Sequence, residues 1–180
     1  MGKSLASLLL ITGCPRSGTR YATKVFQHHG IGLGHEIEGP NGTADWRLAG
    51  QKTDHDVVLH QVRHPLDTIA SMATVQFAES WALFADVAPP PLGDLERRCH
   101  AWLLWNALAE LRSCCTYQVE LIEDAWPHLR SLIPGLPPFD NSTPHDVNKR
   151  SHGPVTWEQL DAIGYGKAIR KRARGYGYSI

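Results

Sequence analysis

The sequence predicts a mostly parallel, doubly wound α/β sheet flanked by helices. Three observations carry that prediction. Short β-type, largely apolar runs at residues 6–12, 56–63 and 116–122 have the length and composition of buried strands. Amphipathic segments of helical period separate them, so strand and helix alternate along the chain. The first run also passes through a tight glycine loop straight into a helix, which places phosphate-type chemistry at a strand end.

Taken in order, residues 6–12 form the first strand and 19–29 the first helix, with Tyr21, Ala22, Val25 and Phe26 on one face and Gly30 as its stop. Residues 31–34 read as a short second strand leading to His35 and Glu36. Residues 37–54 are glycine-rich and polar, a surface loop. Trp46 in that loop reads as a packing anchor. Residues 56–63 make the second clear strand, and 65–78 a helix that opens on Pro65, where the missing N–H costs nothing. The prolines at 89–91 make a stiff connector. Asp94 then caps a long helix to about Ser113, with Leu95, Trp102, Leu104, Trp105, Leu108 and Leu111 on its apolar side. Residues 116–122 read as a third strand, 124–133 as a short helix and 134–147 as a long Pro/Asn loop. The last helix runs over 156–174, through Gly164 and Gly166, and the basic residues near its end suit the helix dipole.

At 180 residues the chain reads as a single domain spanning 1–180, with room for a substantial core. Its formal net charge is zero, so no global field recruits nucleic acid or an anionic membrane. The four cysteines, at 14, 99, 114 and 115, have no C-x-x-C spacing. They read as free thiols in a reducing compartment, which implies a cytoplasmic protein. The ten histidines form no zinc-type spacing, so no metal is expected. Met1-Gly2-Lys3 and the following LASLLLITGC imitate a lipoprotein signal, but cleavage before Cys14 would remove the strand that the loop requires. No segment approaches the ~18 apolar residues that a membrane span needs.

The loop Gly13-Cys14-Pro15-Arg16-Ser17-Gly18-Thr19 gathers backbone N–H groups and a positive helix end around an anion. A Walker A loop reads G-x-x-x-x-G-K-[ST]. Gly13 and Gly18 keep its glycine separation, while Thr19 stands at the lysine position and Arg20 at that of the magnesium-binding hydroxyl. The loop's own cation is Arg16, whose planar fork grips a phosphate or sulfate bidentately. An anion held by Arg16, backbone N–H groups and the Ser17 and Thr19 hydroxyls, without magnesium, argues against a nucleoside triphosphate.

These residues resemble the sulfotransferase superfamily, whose sulfonate donor is 3′-phosphoadenosine-5′-phosphosulfate (PAPS). The family's 5′-phosphosulfate loop has the form G-x-P-[RK]-S-G-T, and GCPRSGT matches it. Its second signature is a strand ending in Arg, then Pro, a helix and a Ser eight residues past the Arg. VVLHQVRHPLDTIAS supplies Arg63, Pro65 and Ser71 at that spacing. The resemblance implies a compact P-loop-type, three-layer sandwich that binds PAPS and releases the desulfonated product PAP. It implies that Gly13, Cys14, Pro15, Arg16, Ser17, Gly18, Thr19 and Arg20 hold the 5′-phosphosulfate. Arg63 and Ser71 would hold the 3′-phosphate, and Lys149 and Arg150, in NKRSHG, would close over the nucleotide.

Sulfonyl transfer builds negative charge on the leaving phosphate oxygen, so the site needs fixed cations and N–H donors there and a base at the acceptor. Arg16 and the N–H groups of residues 17–20 meet the first need. Glu36 is the expected base, with His60 and His35 as alternatives; His60 alternates with Val58 and Val62 and also reads as a buried strand histidine. The expected acceptor is a hydroxyl or amine on a small molecule, glycan or lipid, bound by loops 37–54, 79–93 and 134–147, which contain Trp46, Trp81 and Phe139. Two further readings stand beside this one: a kinase-like phosphotransferase and a catalytically silent phosphonucleotide-binding protein.

Overall fold

A computed structural model describes residues 8–74, 93–140, 142 and 153–180. These residues divide into two compact units, one comprising the chain up to Arg63 together with 105–149, the other 64–104 together with 150–180. Every strand among the described residues lies in the first unit. They form one five-stranded sheet from β1 (Leu9–Gly13), β2 (Gly34–His35), β3 (Gly42–Ala44), β4 (Val57–Val62) and β5 (Cys115–Gln118). All pairings are parallel and the order is β2-β3-β1-β4-β5.

Strand alternation gives the sheet two different faces. Leu9, Ile11, Ala44, Leu59 and Tyr117 face the apolar cluster built with α1 (Thr19–His28) and α4 (Ile122–Leu132), through Val25, Phe26, Trp126 and Leu129. Thr12, paired with His60 in the ladder, lies on the opposite face, where His60 meets Asn106 of α3 (Asp94–Glu110). The fold is therefore α/β, with an all-parallel sheet flanked by helices, as expected.

The parallel order has a consequence for function. The chain leaves β1 toward β2 on one side, and leaves β4 toward β5 on the other. Neighbouring strands β1 and β4 thus bound a topological switch point, the position at which open α/β sheets in general bind ligands beyond the carboxyl ends of their strands. The loop after Gly13 and the residue Arg63 after Val62 both stand at that edge.

In the second unit, α2 (Pro65–Met72) begins with Pro65 at its first turn, and Arg98 Nη1 of α3 donates to the Ile69 carbonyl at 3.0 Å. A capping box of Thr156 and Gln159 starts α5 (Trp157–Ala162). Arg170 of α6 (Gly166–Gly175) bridges back to Asp161 with two 2.7 Å bonds and stacks 4.5 Å above Trp157.

Several elements differ from expectation. The polar stretch 37–54 contains strand β3, held between Leu9 N–H to Asn41 O and Asp45 N–H to Ile11 O, each 2.9 Å. The second strand falls at 34–35 rather than 31–34, because Ile31 is used to close the end of α1 on Phe26 O. β5 stops at Gln118, and Val119–Leu121 turn as a 3-10 helix into α4. The last helix is two, broken where Gly164 takes φ 80°. The second helix ends at Met72, and the expected continuation beyond residue 74 lies outside the described residues.

Candidate anion-binding site

The loop that joins β1 to α1 is set by backbone geometry. Ser17 N–H bonds Cys14 O at 3.0 Å, which turns the chain back on itself, and Gly18 O accepts the first helical bond from Ala22 N–H. Gly18 caps the helix in the left-handed region, at φ 95° and ψ 24°. Among the described residues no side chain caps α1, and its first turn carries no acidic residue. Its leading N–H groups and dipole are thus left for an anion. Gly13 is required for another reason: a Cβ there would lie 2.2 Å from the Gln61 carbonyl of β4.

The side chains of the loop divide by burial. Cys14 is buried and burial pushes its thiol well above the usual range, so it is a packing group rather than a nucleophile. The Ser17 hydroxyl is only 1 % exposed and has no hydrogen-bond partner among the described residues. A buried hydroxyl without a partner is costly, and an anion seated in the loop would satisfy it. Pro15 is buried, Arg16 is half-buried and Arg20 is exposed.

Backbone strain marks two of the candidate residues. Among the described residues only two non-glycine residues have positive φ, Arg16 at 70° and Glu36 at 57°. Both are residues that the sequence singles out for chemistry. Backbone held in this region costs about 1–3 kcal/mol, and such residues concentrate at active sites and ligand clamps.

Strand β2 brings one candidate base, His35, to the loop. His35 Nε2 lies 3.3 Å from Thr19 Oγ1. Burial lowers the His35 pKa, with Arg20 acting in the same direction and Glu36 and Asp45 opposing. Glu36 Oε1 accepts from Trp46 Nε1 at 3.0 Å, and its backbone carbonyl accepts from Arg47. Arg47 is held in turn by Asp45, whose carboxylate caps the 3-10 turn at Trp46–Leu48. Trp46 packs on Trp105 with ring centroids 5.7 Å apart.

The other expected residues fall elsewhere. His60 is fully buried, its Nδ1 3.1 Å from Thr116 Oγ1 and its Nε2 3.0 Å from Asn106 Oδ1. With both ring nitrogens engaged it is the strand histidine of the alternative reading, placed in the sheet rather than at its edge. Arg63 is half-buried just past β4. Ser71 is buried within α2 of the second unit. Lys149 and Arg150 lie outside the described residues, as does most of loop 79–93 with Trp81. Phe139 stacks on His29 at 5.1 Å and meets Trp126 at 5.2 Å, so it packs on the core cluster.

Sequence reading passed over two residues here: Gln61, which touches the loop, and Tyr117, which holds Gln61. Gln61 Nε2 donates to Ser17 O at 2.8 Å, and Tyr117 Oη donates to Gln61 Oε1 at 2.6 Å. The available signal was a lone amide inside an otherwise apolar strand end, since a buried amide needs partners. No helix among the described residues is long and apolar enough to cross a membrane. Comparison with family models, curated proteins and solved structures gives no match for the chain.

Proposed function

We propose that the chain is a PAPS-dependent sulfotransferase with a P-loop-like nucleotide-binding fold, transferring a sulfonate group to a hydroxyl or amine of a small-molecule, glycan or lipid acceptor. The observation that carries the reading is the loop of residues 13–19 at the β1/β4 switch point. It combines a left-handed Gly18 with a helix start that no side chain caps and a buried Ser17 hydroxyl without a partner, both among the described residues. These are the features of a cradle for a phosphate or sulfate. The loop keeps the glycine spacing of a nucleotide-binding loop but has neither the lysine nor the magnesium-binding hydroxyl of a Walker A sequence.

PAPS, when bound, supplies the activated sulfonate. The chain's contribution is then threefold. Loop N–H groups with Arg16 hold the 5′-phosphosulfate and stabilise charge developing on the leaving side. Arg63, at the end of the adjacent strand, holds the 3′-phosphate. Glu36, or His35 beside it, takes the acceptor proton; burial keeps the His35 imidazole neutral near neutral pH and so able to accept.

Calorimetry with PAP, ATP and ADP in the absence of metal tests the reading. PAP should bind and raise the thermal midpoint without magnesium. A strict metal requirement, or equal shifts from PAP and Mg-ATP, would favour a phosphotransferase. PAP binding with no turnover on a broad acceptor panel would favour a silent binding protein.

A further inference from the structure

Gln61 and Tyr117 sit behind the loop: Gln61 pairs with Gly13 across the sheet and its side chain holds Ser17, yet the sulfotransferase reading gives neither residue a role. Gln61 is fully buried and Tyr117 is 5 % exposed. The direction of their bonds follows from chemistry alone. A backbone carbonyl only accepts, so the Gln61 group facing Ser17 O must be the NH2. Its carbonyl oxygen therefore faces Tyr117, whose hydroxyl must donate. One chain of donation runs from β5 through β4 into the loop.

We propose that Gln61 and Tyr117 are positioning residues that aim the Gly18 N–H at the anion by holding the peptide that joins Ser17 to Gly18. The described chain has no cis peptide bond. In a planar trans peptide the C=O of one residue and the N–H of the next point in opposite directions. Drawing Ser17 C=O onto Gln61 thus turns the Gly18 N–H away from the buried side of the loop. The peptide would otherwise be free to flip, because Gly18 tolerates left- and right-handed backbone alike. Tyr117 fixes the Gln61 amide against its own flip. Burial pushes the phenol well above its usual range, so the donor proton stays in place at all working pH values.

The inference rests on the reading of the loop as an anion site, and the test separates the two. Calorimetry compares PAP, which carries a 5′-phosphate, with adenosine 3′-phosphate, which does not. Tyr117→Phe removes one oxygen; it should weaken PAP about 3–10-fold and leave adenosine 3′-phosphate within twofold. Gln61→Glu at pH 7.5 presents a carboxylate to Ser17 O and should weaken PAP more than tenfold. A protonated carboxyl can donate to Ser17 O again, so the ratio of variant to wild-type affinity should recover toward one as the pH falls to about 5. A general loss of folding would worsen on acidification instead. Amide hydrogen exchange at Gly18 should quicken in Tyr117→Phe without any ligand. Equal losses for both nucleotides, or a Gly18 amide unchanged in Tyr117→Phe, would overturn the inference. If the wild type fails to bind PAP, the sulfotransferase reading falls, and Gly18 exchange alone decides the positioning role.

Discussion

The indole N–H of Trp46 donates to the Glu36 carboxylate at 3.0 Å, and Glu36 itself holds a left-handed backbone at φ 57°. One oxygen of the candidate base is thereby fixed, and the other has no bond to Trp46. In the proposed reaction this bond would hold the Glu36 carboxylate in place before an acceptor arrives.

Glu36→Gln keeps this arrangement, because an amide oxygen still accepts from Trp46. PAP affinity should change by less than about threefold, while turnover with an alcohol acceptor falls by ~10²–10⁴, the usual contribution of a positioned base. The loss should persist at saturating acceptor, since the defect lies in the chemical step. A low-pKa phenol, already ionised, should escape much of it. Near-normal turnover on an alcohol would remove Glu36 from the role and turn attention to His35.

Arg63→Ala should weaken PAP far more than adenosine 5′-phosphosulfate, which lacks the 3′-phosphate. Loss of a charge-assisted phosphate contact costs on the order of 2–4 kcal/mol. Paired titrations of the two ligands read the difference directly. Equal losses would move Arg63 away from the 3′-phosphate.

His35 makes a prediction about pH and stability. Burial lowers its folded pKa below the ordinary 6.5, so the unfolded chain binds the proton more readily than the folded one. Stability therefore rises with pH across this window and is lost as pH falls from about 6.5 through the lowered value. Urea midpoints at pH 7.5 and 5 should diverge more for the wild type than for His35→Gln. The same divergence in both proteins would show that other groups govern the window.

Gly13→Ala places a Cβ at 2.2 Å from the Gln61 carbonyl and forces β1 from β4. Overpacking of this kind costs about 1–3 kcal/mol or more, and it should appear in the urea midpoint. Gly30→Ala is the matched control: it meets nothing within 4 Å, so only its left-handed φ of 79° is penalised. A larger effect at Gly30 than at Gly13 would contradict the packing argument.

Much of this site was legible because local sequence and local geometry agree there. The run Leu9–Gly13, the glycine loop and the helix with Ala22, Val25 and Phe26 inward each announce themselves over a few residues. Strand β3 did not, because Gly42, Thr43 and Ala44 have no β-forming pattern. They are a strand only through their register with Leu9, Leu10 and Ile11, information that lies in another segment. The break in the last helix was misread for the opposite reason. Gly164 is tolerable in a helix at modest cost, and its left-handed φ of 80° is decided by the bond from Tyr165 N–H to Leu160 O. Val119–Leu121 have strand-like composition, yet the chain needs them to turn toward α4. Gln61 and Tyr117 were invisible as a pair, since strand pairing alone brings them together.

That pair also orders events in time. Gln61 and Tyr117 are 56 positions apart, and between them the chain departs into the second unit. Closing so long a loop must precede any gain from β4–β5 pairing, which makes such contacts late in folding. Strands β1 to β4 and the glycine loop leave the ribosome well before β5 does. A nascent chain arrested ahead of Cys115 would then carry the loop and Gln61, but not the Tyr117 hydroxyl that fixes the Gln61 amide. On this topology the Gln61 amide gains its own anchor last, when the fifth strand docks.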